Sequence, residues 1–403
     1  MMKMVLVLIY IDKTMRFVRY GERLGMKYDT VKLGDISWIN TESYSSKENW
    51  IYVNYLDTGN ITENMVSEIQ HIEIGKEKLP SRAKRKVKYN SIIYSTVRPN
   101  QKHYGIMKEL PNNFLVSTGF AVIDIDTEKA SPDYVYFVLT QESVTEYLHA
   151  IAEQSTSAYP SIKPSDLKNI EIRLPSLEDQ KRIASILVTL NRKIDINMRI
   201  NDNLMHLVSL IYQAWFEDFI PFGGVCPQTW KQGTLADIAT IMSGKRPPMK
   251  STEKTGSAFI PLVGAASVMG FTTEFNHTDK ILIIGRVGTH GIVQRFNSSC
   301  WASDNTLVIT SDLYEYTYQI LQRIDYHSMN RGSTQPLITQ GDMNKVVILV
   351  PDQGVLKEFE IFAGQLMTQY ESNLLESSKL AELRDTLLPK LMSGELDVSE
   401  IDF

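Results

Sequence analysis

Residues 160–175, PSIKPSDLKNIEIRLP, and residues 336–351, PLITQGDMNKVVILVP, align without a gap at an offset of 176 residues. Pro160, Ile162, Asp166, Ile172 and Pro175 meet Pro336, Ile338, Asp342, Ile348 and Pro351, and Leu167/Met343, Ile170/Val346 and Leu174/Val350 agree in kind. Unrelated segments of this length share about one residue by chance, so an internal duplication is the simplest reading. Each copy must then close a core of its own, and the 403 residues are enough for that.

Each half follows one order. VKLGDISWI (31–39) answers GTLADIATI (233–241), with Leu33, Asp35 and Ile36 against Leu235, Asp237 and Ile238. SIIYSTVRP (91–99) and KILIIGRVG (280–288) are β-branched runs, each ending in an arginine beside a turn former. STGFAVIDI (117–125) then parallels SDNTLVITS (303–311), and the helical DYVYFVLTQ (133–141) parallels EYTYQILQR (315–323). The expected class is α+β: two similar mixed α/β domains, mostly short strands, of one plan with different interiors.

A long helix follows each copy. Ser176 with Asp179 has the pattern of a capping box, and Asp352 that of an N-cap. Ile183, Leu187, Leu190, Ile194, Asn197, Asn201, Leu204, Val208, Ile211 and Trp215 alternate by four and three, a heptad seam. At the same offset the second helix gives Phe359, Ala363, Leu366, Tyr370, Asn373, Ser377, Leu380, Arg384, Leu387 and Leu391. A polar interruption at Asn197 recurs at Asn373, which predicts an antiparallel coiled-coil pair whose register these asparagines fix; the bland reading is an exposed helix with polar residues facing water. Forty residues make a rod of about 60 Å, so the pair would space the two domains about a pseudo-twofold axis. The expected division is 1–27 as an N-terminal extension, 28–175 and 219–351 as recognition domains, 176–218 and 352–392 as spacer helices, and 393–403 as a tail.

A net charge of −5 gives no global attraction to a polyanion, so a nucleic-acid surface would have to be locally basic. Candidate DNA contacts in the first half are Arg98, Asn100, Lys102 and His103, on the loop after the strand that follows the basic run KEKLPSRAKRKVKYN (76–90). In the second half they are Lys245, Arg246 and Lys250 in MSGKRPPMK, and Arg286, His290 and Arg295 in GRVGTHGIVQR. Loop arginines and lysines suit phosphates, and arginine also bonds two acceptors on a guanine edge. A solvated charged face is the competing account of the run at 82–88.

Cys226 and Cys300 have no metal-ligand spacing and are expected to be plain thiols of a reducing cytoplasm. The apolar run at 5–11 is too short for a bilayer, which takes about 20 residues, and ordered sequence is expected from Met26. The chain has no GxxxxGK[ST] loop, GxSxG elbow, HExxH or paired cysteines. No catalytic or metal-ligating residue is assigned, which favours a binding protein.

Two variable domains, each closed by a Pro…Ile…Asp-Leu…Ile…Leu-Pro signature and followed by a long helix, resemble the specificity subunits of type I restriction-modification systems. LPSLEDQKRIASIL (174–187) and LLPKLMSGELDV (387–398) are similar to that family's helix start and C-terminal end. The resemblance runs from about Met26 and lies in the framework, not in the domain interiors. It implies a non-catalytic, cytoplasmic subunit whose domains each read one half of a split site in double-stranded DNA while the helices set the gap. It also implies two methyltransferase (modification) subunits docked on the framework and motor-nuclease (restriction) subunits that cut unmodified DNA. S-adenosylmethionine, ATP and Mg are expected on those partners only. One departure is DQGVLKEFE (352–360), where the first helix has EDQ, which puts the packing of the second helix start in question. The rival reading is a DNA methyltransferase or nuclease with an unrecognised active site.

Overall fold

The structure is a computed structural model and describes residues 27–154, 160–288, 291–329 and 337–398. The run at 5–11, Met26, Pro336 and His290 lie outside the described residues.

The repeated segment has a local cause. Lys163 N and Thr339 N each donate to the aspartate three residues on, Asp166 Oδ2 at 2.7 Å and Asp342 Oδ2 at 3.1 Å, starting the short helices Pro164–Lys168 and Gln340–Asn344. Each helix is followed by a strand that pairs antiparallel with the first strand of its copy: Glu171–Leu174 with Asp29–Lys32, and Val347–Val350 with Lys231–Thr234. The matching isoleucines, Ile162 and Ile338, Ile172 and Ile348, are all buried. Leu33 N donates to Ile170 O and Leu235 N to Val346 O, both at 2.9 Å, so the two copies close in the same way.

Each copy carries two further sheets of three or four strands, and the first also has a small hairpin, Ile61–Thr62 with Met65–Val66. In the first copy Ser37–Ile39, Phe120–Ile125, Ile92–Ser95 and Tyr104–Ile106 lie in that order; in the second, Thr240–Ser243, Thr306–Thr310, Ile281–Gly285 and Val293–Phe296. The other sheet pairs Tyr52–Leu56 parallel to Phe114–Ser117, flanked by Gln70–Glu73 and Ala83–Arg85. Its counterpart pairs Ile260–Val263 parallel to Trp301–Ala302 and has one flanking strand, Val268–Thr272. These are two α+β halves of one plan, mostly short strands.

The long helices are Leu177–Phe216 and Gln353–Ser393. All twenty seam residues are buried or half-buried, the polar ones included, as a seam facing a partner helix requires. The described residues form two compact units, one made of those up to Ile194 with those from Lys379 onward, the other of those between Asp195 and Ser378. The division cuts through both helices because each helix end is part of a domain core. In the first unit Ile183, Ala184, Leu187, Leu387 and Leu391 pack on Tyr134, Phe137 and Ile172. In the second, Phe216 lies 4.8 Å from Tyr316 and 5.1 Å from Phe359, centroid to centroid. Within this unit the helices run antiparallel, since Asn197 meets Ser377 and Asn201 meets Asn373 and Tyr370.

The expected difference at the helix starts is real and is compensated. Gln180, 1 % exposed, accepts from Ser131 N at 2.9 Å and donates to Pro175 O at 3.0 Å, tying helix to domain. Leu356 stands at the equivalent position, and one turn later the Glu360 carboxylate accepts from Glu315 N at 3.1 Å and Tyr316 N at 2.7 Å. Tyr134 Oη to Arg173 O (2.8 Å) and Tyr316 Oη to Leu349 O (2.7 Å) make the same tie in both copies.

Candidate nucleic-acid interface

In both copies a short turn carries the chain from the parallel-paired sheet to the other, at 117–119 and 303–305, and the basic loops gather around it. In the second copy Lys245 N donates to Ala302 O and Gly244 N to Thr306 O, both at 3.0 Å, and Trp301 Nε1 donates to Lys245 O at 2.8 Å. A Cβ on Gly244 would stand 2.0 Å from Ser303 O, so only glycine lets this loop lie so close. On the far side of the same strand, Arg286 N donates to Asn305 O at 2.8 Å and Arg286 O accepts from Ile338 N at 3.0 Å. Lys245, Arg246 and Arg286 thus share one end of a sheet, about 10 Å apart across two strand spacings. Lys245 and Arg246 are exposed. Arg286 is half-buried, and its Nε has no hydrogen-bond partner among the described residues. Lys250, also exposed, stands apart, next to the bridge between Ser251 and Phe271.

In the first copy Arg98 and Asn100 are exposed on the turn between two strands, and the backbone of Arg98 is left-handed (φ 48°) with its N–H donating to Pro160 O at 2.9 Å. Two neighbours are differently employed. Lys102 Nζ meets Glu142 at 2.7 Å and Glu63 at 3.5 Å; the Glu142 hydrogen bond holds its pKa above the ordinary lysine value. His103 Nδ1 is 2.6 Å from Ile61 O, tying the strand to a neighbouring hairpin.

Arg98 and Arg286 stand at different positions of the shared plan: Ile162 N bonds Thr96 O and Ile338 N bonds Arg286 O, so the counterpart of Arg286 is Thr96. Two sequence expectations need correction. Arg295 does not face solvent. Its Nη1 and Nη2 each lie 2.7 Å from a Glu315 oxygen, its guanidinium stacks 4.9 and 4.7 Å from the Tyr314 and Tyr318 rings, and its side chain is 10 % exposed. A cation spent on a buried carboxylate makes a core contact, not a phosphate contact. The basic run is likewise partly neutralised, Lys76 by Glu73, Lys86 by Glu48 and Lys88 by Glu42. Lys78 and Arg82, inside that run, have no ion pair among the described residues, and with Asp57 and Tyr55 they line a recess of about 370 Å³. No spacing in the sequence links Asp57 to Arg82; a sheet brings them together.

Asn197 and Asn373 are both buried in the helix pair, at 1 % and 4 % exposure, but their partners are not each other. Asn373 bonds Asn201, and Asn197 bonds Ser377 and Glu376. Cys300 is buried, which pushes its thiol up to about 11, and Cys226 is half-buried. Among the described residues no group of His, Cys, Asp or Glu could hold a metal ion, and no helix is long and apolar enough to cross a membrane.

The family model described as the type I restriction modification DNA specificity domain matches residues 26–206 and 227–378, one copy over each half. The chain belongs to that family. It is similar to the HindI specificity subunit of Haemophilus influenzae, 22 % identical over 458 residues covering 90 % of this chain and 98 % of that protein. It is also similar to the MjaIX specificity subunit of Methanocaldococcus jannaschii, 26 % identical over 406 residues covering 91 % and 88 %. The fold matches a crystal structure of a type I restriction-modification S subunit from M. genitalium with a TM-score of 0.57 at 17 % identity, over 92 % of this chain and 98 % of that one. A DNA specificity domain recognises sequence and carries out no bond chemistry of its own, so the reading of this chain as a methyltransferase or nuclease is set aside.

Proposed function

We propose that this specificity subunit reads a bipartite site in double-stranded DNA, one half-site per copy, within a type I restriction-modification complex. The observation that carries the reading is that family membership falls on two equivalent halves, each gathering loop cations around the same inter-sheet turn. Arg98 and Asn100 in the first half, and Lys245, Arg246 and Arg286 in the second, are the contacts this arrangement favours; Lys250, which stands apart from them, is assigned a phosphate contact, and His290 stays a candidate contact. Residues 28–175 and 219–351 act as the recognition domains, and the helices of 176–218 and 352–392 fix the gap between half-sites. Two methyltransferase subunits bound to this framework place S-adenosylmethionine against adenine, and motor-nuclease subunits supply the ATP- and Mg-dependent cutting in the cytoplasm. This chain supplies the address.

The test is to assemble the chain with its modification subunits and select preferred DNA from a random pool. Two short conserved blocks separated by a fixed unread gap are expected. A single contiguous block, or no preference above non-specific binding, would overturn the reading.

A further inference from the structure

The first copy holds a polar recess with no counterpart among the candidate contacts of the second. It lies between the end of the strand Tyr52–Leu56 and the turn at 78–82, and is lined by Tyr55, Asp57, Lys78, Leu79, Ser81 and Arg82. Tyr55 forms its floor: it is 2 % exposed, and its hydroxyl lies beside the Asp57 carboxylate and the Ser117 hydroxyl with no hydrogen-bond partner among the described residues. A buried hydroxyl left unpaired costs free energy that a ligand group can recover. Asp57 Oδ1 accepts from Thr58 N at 2.7 Å. The recess abuts the turn that defines the candidate interface, since Arg82 O accepts from Thr118 N at 2.9 Å and Gly119 O from Thr96 N at 2.8 Å.

The lining combines two cationic donors with one anionic acceptor. A backbone phosphate presents acceptors only and would be set against the Asp57 carboxylate. The major-groove edge of a G·C pair presents N7 and O6 as acceptors and the cytosine N4 amine as donor; arginine or lysine reads the first two and aspartate the third. An A·T pair also presents one donor, the adenine N6 amine, but between the N7 and O4 acceptors and not at the pyrimidine end, so cations on two adjacent acceptors with Asp57 on the pyrimidine side match G·C.

We infer that Asp57, Arg82 and Lys78 read one G·C base pair in the half-site recognised by the first copy, Arg82 and Lys78 on guanine and Asp57 on the cytosine amine. The inference rests on the proposed reading of the chain as a bipartite DNA reader. Burial and the adjacent Asp57 carboxylate hold the Tyr55 phenol above its ordinary pKa, so it stays protonated and able to donate.

The experiment is site selection from a random DNA pool by the assembled complex, comparing the unchanged chain with Asp57→Asn, Arg82→Ala and Lys78→Ala. Asp57→Asn keeps the acceptor for Thr58 N, and thermal unfolding of each variant checks that it folds. One position of one half-site should be G·C with the unchanged chain. Discrimination there should fall about 5- to 100-fold with Arg82→Ala and with Asp57→Asn, while the other half-site and the gap stay as they were. Equal weakening on every sequence with a shallower salt dependence would make these residues phosphate contacts and overturn the inference. Unchanged selection by folded variants would remove the recess from the interface. Absence of any bipartite preference in the unchanged complex would instead sink the underlying reading.

Discussion

Nδ2 of Asn373 donates to Oδ1 of Asn201 at 2.9 Å, and Nδ2 of Asn197 donates to Oγ of Ser377 at 3.3 Å. Exchanging the helices by the 176-residue offset turns Asn373 into Asn197 and Asn201 into Ser377, so these are one interaction written twice by the duplication. The copies have diverged around it. Gln369 Nε2 satisfies Asn373 Oδ1 at 2.7 Å, whereas Asn197 Oδ1 is buried with no partner among the described residues. Sliding one helix along the other would strand all four side chains among apolar neighbours, which is how buried amides fix register at some cost in stability.

Asn373→Leu should therefore cost about 1–3 kcal/mol, because it leaves Asn201 Oδ1 unpaired in a buried seam. Asn197→Leu should cost less, since it also removes the orphaned Asn197 Oδ1. Urea unfolding of the two variants compares them directly. A larger loss for Asn197→Leu would show that its bonds to Glu376 and Ser377 outweigh the unpaired oxygen.

Arg286→Ala and Arg246→Ala address the second recognition surface. If each guanidinium makes a bidentate base contact, either change should cost about 1–3 kcal/mol on the preferred sequence and relax selection only in the half-site read by the second copy. Uniform weakening with a shallower salt slope would assign the residue to phosphate. Arg295→Met should behave differently, destabilising the fold by about 3–5 kcal/mol by leaving Glu315 buried without its partner, with base selection unchanged. Normal stability of Arg295→Met with altered selection would place that guanidinium in the interface after all.

What the sequence revealed and what it hid follow from the range of the interactions. Asp166 and Asp342 were legible because a cap acts across three residues, and the seam because burial repeats every three or four. The identity of the aspartates reports a hydrogen bond that each copy must make to begin its last helix. Arg295 was misread as a loop cation because its partner, Glu315, lies on another element and only packing joins them. Arg98 and Arg286 looked alike because both end β-branched strands, while the bonds that fix equivalence come from Ile162 and Ile338, far along the chain. The substitution of Glu360 for Gln180, displaced by one turn, could not be read from an alignment that compares like positions.

That substitution makes the second copy sensitive to pH. Burial raises the Glu360 carboxyl from 4.5 to about 7, while Glu315 and Tyr316 N–H groups and Arg295 pull the other way. The folded state thus keeps a proton that the unfolded chain releases between about 4.5 and 7, so this group's contribution to stability falls as pH rises through that window. Burial holds His277 below its ordinary value, which gives the opposite slope near pH 6.5. Glu360→Gln keeps an acceptor for one N–H and cannot ionise. The difference in melting temperature between variant and unchanged chain should then shift in the variant's favour from pH 5 to pH 8. A constant difference would mean that Glu360 is ionised throughout and balanced by Arg295.

Adding one heptad to each long helix, within the paired stretch, tests whether these helices set the gap between half-sites. Seven residues lengthen a helix by about 10 Å and keep the seam in phase. At about 3.4 Å per base pair that is roughly three extra pairs in the preferred gap, with both half-site sequences unchanged. The same displacement turns one reader about three-tenths of the way around DNA of about 10 base pairs per turn, so affinity should fall even as the gap grows. An insertion in one helix only breaks the pairing of Asn201 with Asn373 and should unfold the seam, which separates spacing from stability. Selection from a DNA pool of random gap lengths, with the assembled complex, reads the outcome. A gap that stays fixed in a well-folded double insertion would assign the spacing to the recognition loops or to the modification subunits.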